Sequence, residues 1–130
     1  MILKGKSPQL QAAPKSVALY FLPVQTRVPL KFGPEITTEV ICLRVCVTVT
    51  DRAGRTAQGW GETPLAVSWT WPTPKVSVAE RTKRMQAFSI RLAQKLVEFD
   101  AVGHPMENGY DFQKHALMKE VAAALPNHNM

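Results

Sequence analysis

The sequence predicts an α+β domain, in which a three-stranded antiparallel meander is followed by two or more helices packed on one face of the sheet. Between Glu39 and Thr50, apolar residues occupy the odd positions and mostly polar or small residues the even ones. That alternation is typical of a strand buried on one face. After Pro74 the apolar residues recur at helical spacing, and Ser77 and Glu80 have the spacing of a capping box.

Two further strands flank the alternating segment. The first is predicted from Ser16 to Val28. Pro23 inside it cannot donate a ladder hydrogen bond, which indicates a strand edge or a bulge at that position. The third strand is predicted from Thr56 to Glu62, after a tight turn in which Gly54 is free to adopt a positive φ. The three strands are therefore expected to pair in sequence order.

Two helices are predicted after the sheet. The first begins at the Ser77 cap and ends before Gly103. The second is predicted from about Tyr110 to Leu125, where Pro126 follows. Because a sheet must bury its apolar face against another layer, both helices are placed on the face that carries Leu43.

The length of the chain suits one domain. A chain of 130 residues with 45% hydrophobic residues can bury roughly two-thirds of its unfolded surface. Residues 1–15 are polar and lack periodicity, so we expect a loose N-terminal arm, followed by the domain at residues 16–125 and a tail at residues 126–130. No apolar run reaches the ~20 residues of a membrane helix, and no signal peptide is recognised, so a soluble, cytoplasmic protein is expected.

Composition narrows the classes of function. A formal net charge of +6 is compatible with a nucleic acid or an anionic substrate as partner. The densest basic set lies on the first predicted helix, where a solvated face is the simpler interpretation. Its members are Lys75, Arg81, Lys83, Arg84, Arg91 and Lys95. Cys42 and Cys46 would lie about 13 Å apart along one strand, too far for a disulfide, and we expect reduced, buried thiols.

Motifs for catalysis are sparse. The acidic residues are dispersed, and the sequence has no glycine-rich phosphate loop, nucleophile elbow or HExxH motif. Trp69 and Trp71 lie in a proline-rich segment where no periodicity demands burial, so they line a ligand or partner surface or else cover the open end of the core. Trp60 is expected in the core or packed across the sheet on Tyr20.

The order of parts resembles a known family. A first strand and the segment from Arg27 to Gly33 precede a long second strand with Arg44 at its middle. A glycine-containing turn and the segment Gly59-Trp60-Gly61-Glu62-Thr63-Pro64-Leu65 follow. This order is similar to the N-terminal capping domain of the enolase superfamily, in the branch of mandelate racemase and muconate lactonizing enzyme. The likeness runs from about Ser16 to Leu125.

The resemblance implies that this domain covers a (β/α) barrel, whose motifs are missing from the sequence. In that family two loops of the cap close over a carboxylate substrate, while barrel carboxylates hold Mg²⁺ and barrel bases move a proton. The corresponding loops here are residues 28–37 and 63–74, which makes Lys31, Phe32, Trp69 and Trp71 the candidate substrate-binding residues. The chain alone is expected to be catalytically silent, with no catalytic residue, metal ligand or cofactor of its own.

Within the same resemblance, Gly59, Gly61 and Glu62 form a structural turn, in which Glu62 bonds to local backbone rather than to a metal. A homo-oligomer is expected, with neither nucleic acid nor membrane as a partner. Two functions of other classes remain open. One is a free-standing basic module that binds an anion or nucleic acid, which requires basic and aromatic side chains on one face. The other is a structural or oligomerisation unit.

Overall fold

The computed structural model describes residues 11–99 and 101–124 of the chain. Its strands are β1 (Ala12–Phe32), β2 (Glu35–Asp51) and β3 (Thr56–Pro64), and they form one antiparallel sheet in the order β1-β2-β3. Helices follow the sheet along the chain. The α+β class and the three-stranded antiparallel meander are confirmed.

Each of the two hairpin turns contains a glycine with positive φ. Gly33 has a φ of 57° and lies between the paired residues Phe32 and Glu35. Gly54 has a φ of 78° in the second turn, where the Asp51 carboxylate accepts two backbone N–H groups at 2.9 Å. A side chain is strained at such φ values, so both turns favour glycine. The prediction for Gly54 is confirmed.

The first strand is longer than predicted at both ends. Residues 12–14, which the sequence analysis includes in the N-terminal arm, pair with residues 49–51 of β2. Residues 1–10 of that arm lie outside the described residues. At the other end β1 continues to Phe32, because a tight turn at Gly33 keeps the chain in register with β2.

The first hairpin extends beyond the third strand. The last residue of β3, Pro64, pairs with Cys42, whereas β1 and β2 continue as a two-stranded ribbon to Phe32 and Glu35. We call residues 24–40 the hairpin arm. A bulge between Gln25 and Leu30 interrupts its ladder. The predicted loop of residues 28–37 is therefore part of a β-hairpin.

Four helices and one π-helical turn follow the sheet in the described residues. Their bounds are α1 (Val67–Thr70), α2 (Val78–Glu98), α3 (Pro105–Phe112), the π-helical turn (Gln113–Leu117) and α4 (Met118–Ala124). The predicted Ser77 cap is confirmed, since its Oγ accepts the backbone N–H of Glu80 at 3.2 Å. The second predicted helix begins at Pro105 instead of Tyr110, because proline suits the first position of a helix and His104 caps it. No helix in this part of the chain is long and apolar enough to span a membrane.

The helical layer covers one face of the sheet. α2 packs against β1, where Val17 and Leu19 line a groove with Ile90 and Val97 of the helix. The same face carries Leu43, which is buried. The predicted placement of a helical layer on the Leu43 face is therefore confirmed for α2.

The opposite face of the sheet is open. There the rings of Tyr20 and Trp60 stack across β2, with centroids 6.0 Å apart and planes 26° from parallel. Trp60 is 61% exposed, so the core position was wrong and the packing on Tyr20 is confirmed. Cys46 is buried on this face and Cys42 is half-buried, and both thiols are free.

Candidate functional site

The tip of the hairpin arm meets the segment that follows β3. The ring of Phe32 lies edge-on to the ring of Trp69, with centroids 6.0 Å apart and an interplanar angle of 73°. Edge-to-face packing of this kind is a favourable arrangement for two aromatic rings. The two segments expected to cover a substrate, residues 28–37 and 63–74, therefore touch in the structure.

A buried ion pair lies at the same junction. Arg81, in the first turn of α2, is 1% exposed, and its guanidinium donates to the Glu35 carboxylate at the tip of the arm. The second carboxylate oxygen of Glu35 accepts the hydroxyl of Ser68 in α1. We call Glu35, Ser68 and Arg81 the clasp. It joins the arm, α1 and α2 at one point.

The same guanidinium also organises the chain around α1. It donates to the backbone carbonyls of Val67 at 3.2 Å, Trp71 at 2.8 Å and Val76 at 3.0 Å. A planar guanidinium carries five N–H donors in a rigid fork, which a lysine cannot reproduce. Arg81 therefore supplies donors to the carbonyls of Trp71 and Val76 beyond the end of α1, and a second donor to the Val67 carbonyl, which also accepts the Trp71 N–H.

The clasp keeps Glu35 charged. The hydroxyl of Ser68, followed by the guanidinium of Arg81, lowers the pKa of the Glu35 carboxyl below its usual 4.5. Hydrogen bonds to the ionised form and a neighbouring cation both favour the carboxylate. At neutral pH the clasp is thus a charged pair, with the Arg81 side chain excluded from water.

The prediction that Arg81 lies on a solvated helix face was wrong. A signal for its burial is present in the sequence, because Arg81 lies four residues before Met85 and seven before Phe88, on the apolar stripe of the helix. A charged residue on such a stripe needs a buried partner. The partner, Glu35, is distant in sequence and could not be identified from α2 alone.

The two tryptophans after β3 have different environments. Trp69 is 72% exposed, although its ring touches Phe32. Trp71 is half-buried, and the guanidinium of Arg84 lies 5.9 Å from the centre of its ring. The sequence left open whether the tryptophans line an exposed surface or cover the end of the core. The exposure of Trp69 favours the first interpretation for that residue, and the partial burial of Trp71 favours the second.

Lys31 lies on the hairpin arm, next to Phe32. It is exposed and pairs with Ile36 across the ribbon. Its neighbours Leu30 and Ile36 are exposed apolar residues. Because successive residues of a strand point to opposite faces, Lys31 and Ile36 lie on the face of the ribbon opposite to Phe32.

The predicted structural turn at Gly59, Gly61 and Glu62 is part of a strand. All three residues lie in β3, paired with Val47, Val45 and Arg44. The Glu62 carboxylate accepts the Arg44 Nε at 2.6 Å on the open face of the sheet. The expected bonds of Glu62 to local backbone are replaced by this cross-strand pair, because strand geometry points its side chain over β2.

The basic residues of α2 are largely neutralised by nearby carboxylates. Besides Arg81, three of them form ion pairs. These pairs are Arg84 with Glu80, Arg91 with Glu120, and Lys95 with Glu98. Within residues 11–99 and 101–124, no group of three or more His, Cys, Asp or Glu side chains is arranged to hold a metal ion.

The junction of the arm and α1 presents two aromatic rings, and its carboxylate is engaged by Arg81 and Ser68. No protein-family model matches the chain, and comparison with the curated proteins and with the solved structures returns no match.

Proposed function

We propose that this chain is the capping and substrate-specificity domain of an enolase-superfamily enzyme, similar to mandelate racemase and muconate lactonizing enzyme, which acts on a carboxylate substrate. The observation that carries the proposal is the contact of Phe32 with Trp69, which joins the two segments assigned to the lid. The clasp supports it, because a lid needs its two parts held in one arrangement. The proposed enzyme is cytoplasmic and homo-oligomeric.

In this proposal the lid side chains bind the substrate and exclude water. Phe32 and Trp69 form an apolar wall, and Lys31 attracts the carboxylate group of the substrate. The barrel domain supplies Mg²⁺ and the bases for proton abstraction, and this chain supplies neither. Removing a wall side chain should therefore change substrate binding more than the chemical step.

A free-standing module for an anion or nucleic acid is the second function that the sequence leaves open. Binding to phosphates requires Lys and Arg side chains that are free to displace counterions. Arg81 is buried, and Arg84, Arg91 and Lys95 each pair with a carboxylate of this chain. The ion pairing of α2 therefore favours the capping domain over this module.

The reading frame after the Met130 codon gives the first test of the capping function. We expect it to encode a (β/α) barrel with carboxylates at the ends of successive strands. A frame that encodes another domain, or stops, would contradict the proposal. The protein that contains both this chain and the barrel should exchange the substrate proton next to the carboxylate for deuterium in D₂O. This exchange should depend on Mg²⁺ and can be followed by NMR.

Phe32→Ala and Trp69→Ala then test the lid in the protein that contains both this chain and the barrel. We expect a raised KM or a changed order of preferred substrates, with proton exchange retained at saturating substrate. Tyr20→Ala is a matched control, because it removes an aromatic ring from the open face and not from the lid. An equal effect of all three substitutions would refute a lid role. For the isolated chain, a micromolar Mg²⁺ site in a calorimetric titration would also contradict the proposal.

A further inference from the structure

The outer edge of β3 is unprotected. All nine residues of this strand are exposed, and Trp60 on it is among the large apolar side chains that remain accessible. Between Thr56 and Thr63 it has no proline, no lysine and no bulge. Natural sheets use such features to prevent pairing at an edge. A strand without them is available to another strand.

The hydrogen-bond alternation identifies the free groups. The backbone N–H of Leu65 donates to the Ile41 carbonyl, so the odd-numbered residues of β3 bond to β2. The backbone groups of the even-numbered residues, including Gln58, Trp60 and Glu62, consequently point outward. No other element among the described residues forms a backbone hydrogen bond with them.

The opposite edge of the sheet is blocked. Pro14 and Pro23 in β1 lie opposite Val49, which by the same alternation bonds to β3, and Ile41, which bonds to Leu65 just after β3. Both prolines therefore stand where an N–H would point outward, and neither can donate. Two bulges interrupt β1 as well. Over its three-stranded part, the sheet thus has one closed edge and one open edge.

We propose that the open edge of β3 pairs with β3 of a second copy of this chain, antiparallel and about a two-fold axis at Trp60. This inference names the surface of the proposed homo-oligomer, and it rests on the strand edges and not on the capping role. The pairing places Gln58 of each copy opposite Glu62 of the other, and Trp60 opposite Trp60. Because the β1 edge is blocked, the assembly closes as a dimer with one continuous sheet and does not polymerise.

Side-chain chemistry selects a second copy in this register. No like charges face each other, because each Glu62 lies opposite the neutral Gln58 of the other copy. The amide of Gln58 can donate a hydrogen bond to that carboxylate. The two Trp60 rings lie on the same open face and extend the Tyr20–Trp60 stack of each copy across the interface. Pro64 lacks an outward N–H, so the ladder ends there.

Sedimentation of the full chain over a range of concentrations tests the pairing. We expect a monomer–dimer equilibrium for the wild type. Trp60→Lys and Trp60→Glu each place like charges directly opposite at the two-fold axis, so each should weaken self-association by roughly tenfold or more. A mixture of the two variants should dimerise again, because lysine then faces glutamate. Ala18→Lys is the control, since it adds a charge to the open face away from β3.

Three results would overturn the inference. These are a wild type that stays monomeric up to millimolar concentration, single variants that dimerise as well as the wild type, and a mixture that stays monomeric. Circular dichroism of each variant should retain the wild-type spectrum, which separates lost pairing from lost folding. If folding of a Trp60 variant fails, Gln58→Pro gives a second test, because it removes an outward backbone N–H from the edge, together with the Gln58 side chain that donates to Thr48. Unchanged dimerisation of Gln58→Pro would equally contradict the pairing.

Discussion

Glu35 at the tip of the hairpin arm and Arg81 at the start of α2 are 46 residues apart in the sequence and form one ion pair, in which the arginine is fully enclosed. A two-stranded ribbon alone is marginally stable in water. The arm has no third strand beyond Cys42, so its order depends on contacts at its tip. The clasp and the Phe32–Trp69 contact supply them.

Loss of the carboxylate charge should loosen the arm and α1 together. In Glu35→Gln, we expect faster hydrogen exchange at residues 28–37 and 66–71, because Arg81 and Ser68 lose their charged acceptor. Residues 43–49 at the centre of the sheet should keep their protection. Exchange measured by mass spectrometry checks both expectations. Even in the wild type, we expect both lid segments to exchange faster than the central strand.

Glu62→Gln is the matched control for that experiment. Glu62 also pairs with an arginine, but on the open face, where both side chains are about half exposed. Exposed pairs contribute little to stability. If Glu62→Gln accelerated hydrogen exchange in the lid segments as much as Glu35→Gln does, the clasp would have no special role. The same would follow if Glu35→Gln left the exchange rates of the lid segments unchanged.

Replacement of Arg81 should be costly for the whole domain. Arg81→Met removes the guanidinium donors of the Trp71 and Val76 carbonyls, and leaves Glu35 with Ser68 alone and Val67 with the Trp71 N–H alone. We expect the free energy of unfolding to fall by about 3 kcal/mol or more, as measured by urea denaturation. Arg84→Met, on the same helix but in an exposed pair, should change it by less than about 1 kcal/mol. A similar loss of unfolding free energy in Arg81→Met and Arg84→Met would contradict the special role of Arg81 in the clasp.

Acid should open the clasp. Because the pKa of Glu35 is lower in the folded state than the usual 4.5, the clasp stabilises fully above that value. Its contribution is lost as the pH falls through the lowered folded pKa. The stability difference between the wild type and Glu35→Gln should therefore shrink below about pH 4.5. Asp51 and Glu80 also have lowered pKa values and give acid sensitivity to both proteins, so the difference is the informative quantity.

The order of the elements could be predicted from local patterns. Alternation along β2, the turn at Gly54 and the cap at Ser77 each depend on neighbouring residues, and each was found as expected. The clasp depends on a long-range partner for Arg81, which no local pattern specifies. Residues 28–37 were assigned to a loop through the family resemblance, and the bulge between Gln25 and Leu30 interrupts the alternation that would have indicated a continuous strand.

Two glycine substitutions should change stability in opposite directions. Gly54→Ala places a side chain at a φ of 78°, so we expect a loss of roughly 1 kcal/mol in the free energy of unfolding. Gly109 lies inside α3, and a methyl group added there meets no atom within 4 Å. Gly109→Ala should therefore stabilise the domain by up to about 1 kcal/mol, because alanine is the better helix former. Thermal unfolding followed by circular dichroism measures both shifts. A stabilising Gly54→Ala would mean that the second hairpin turn adopts another conformation in solution, and a destabilising Gly109→Ala would mean the same for α3.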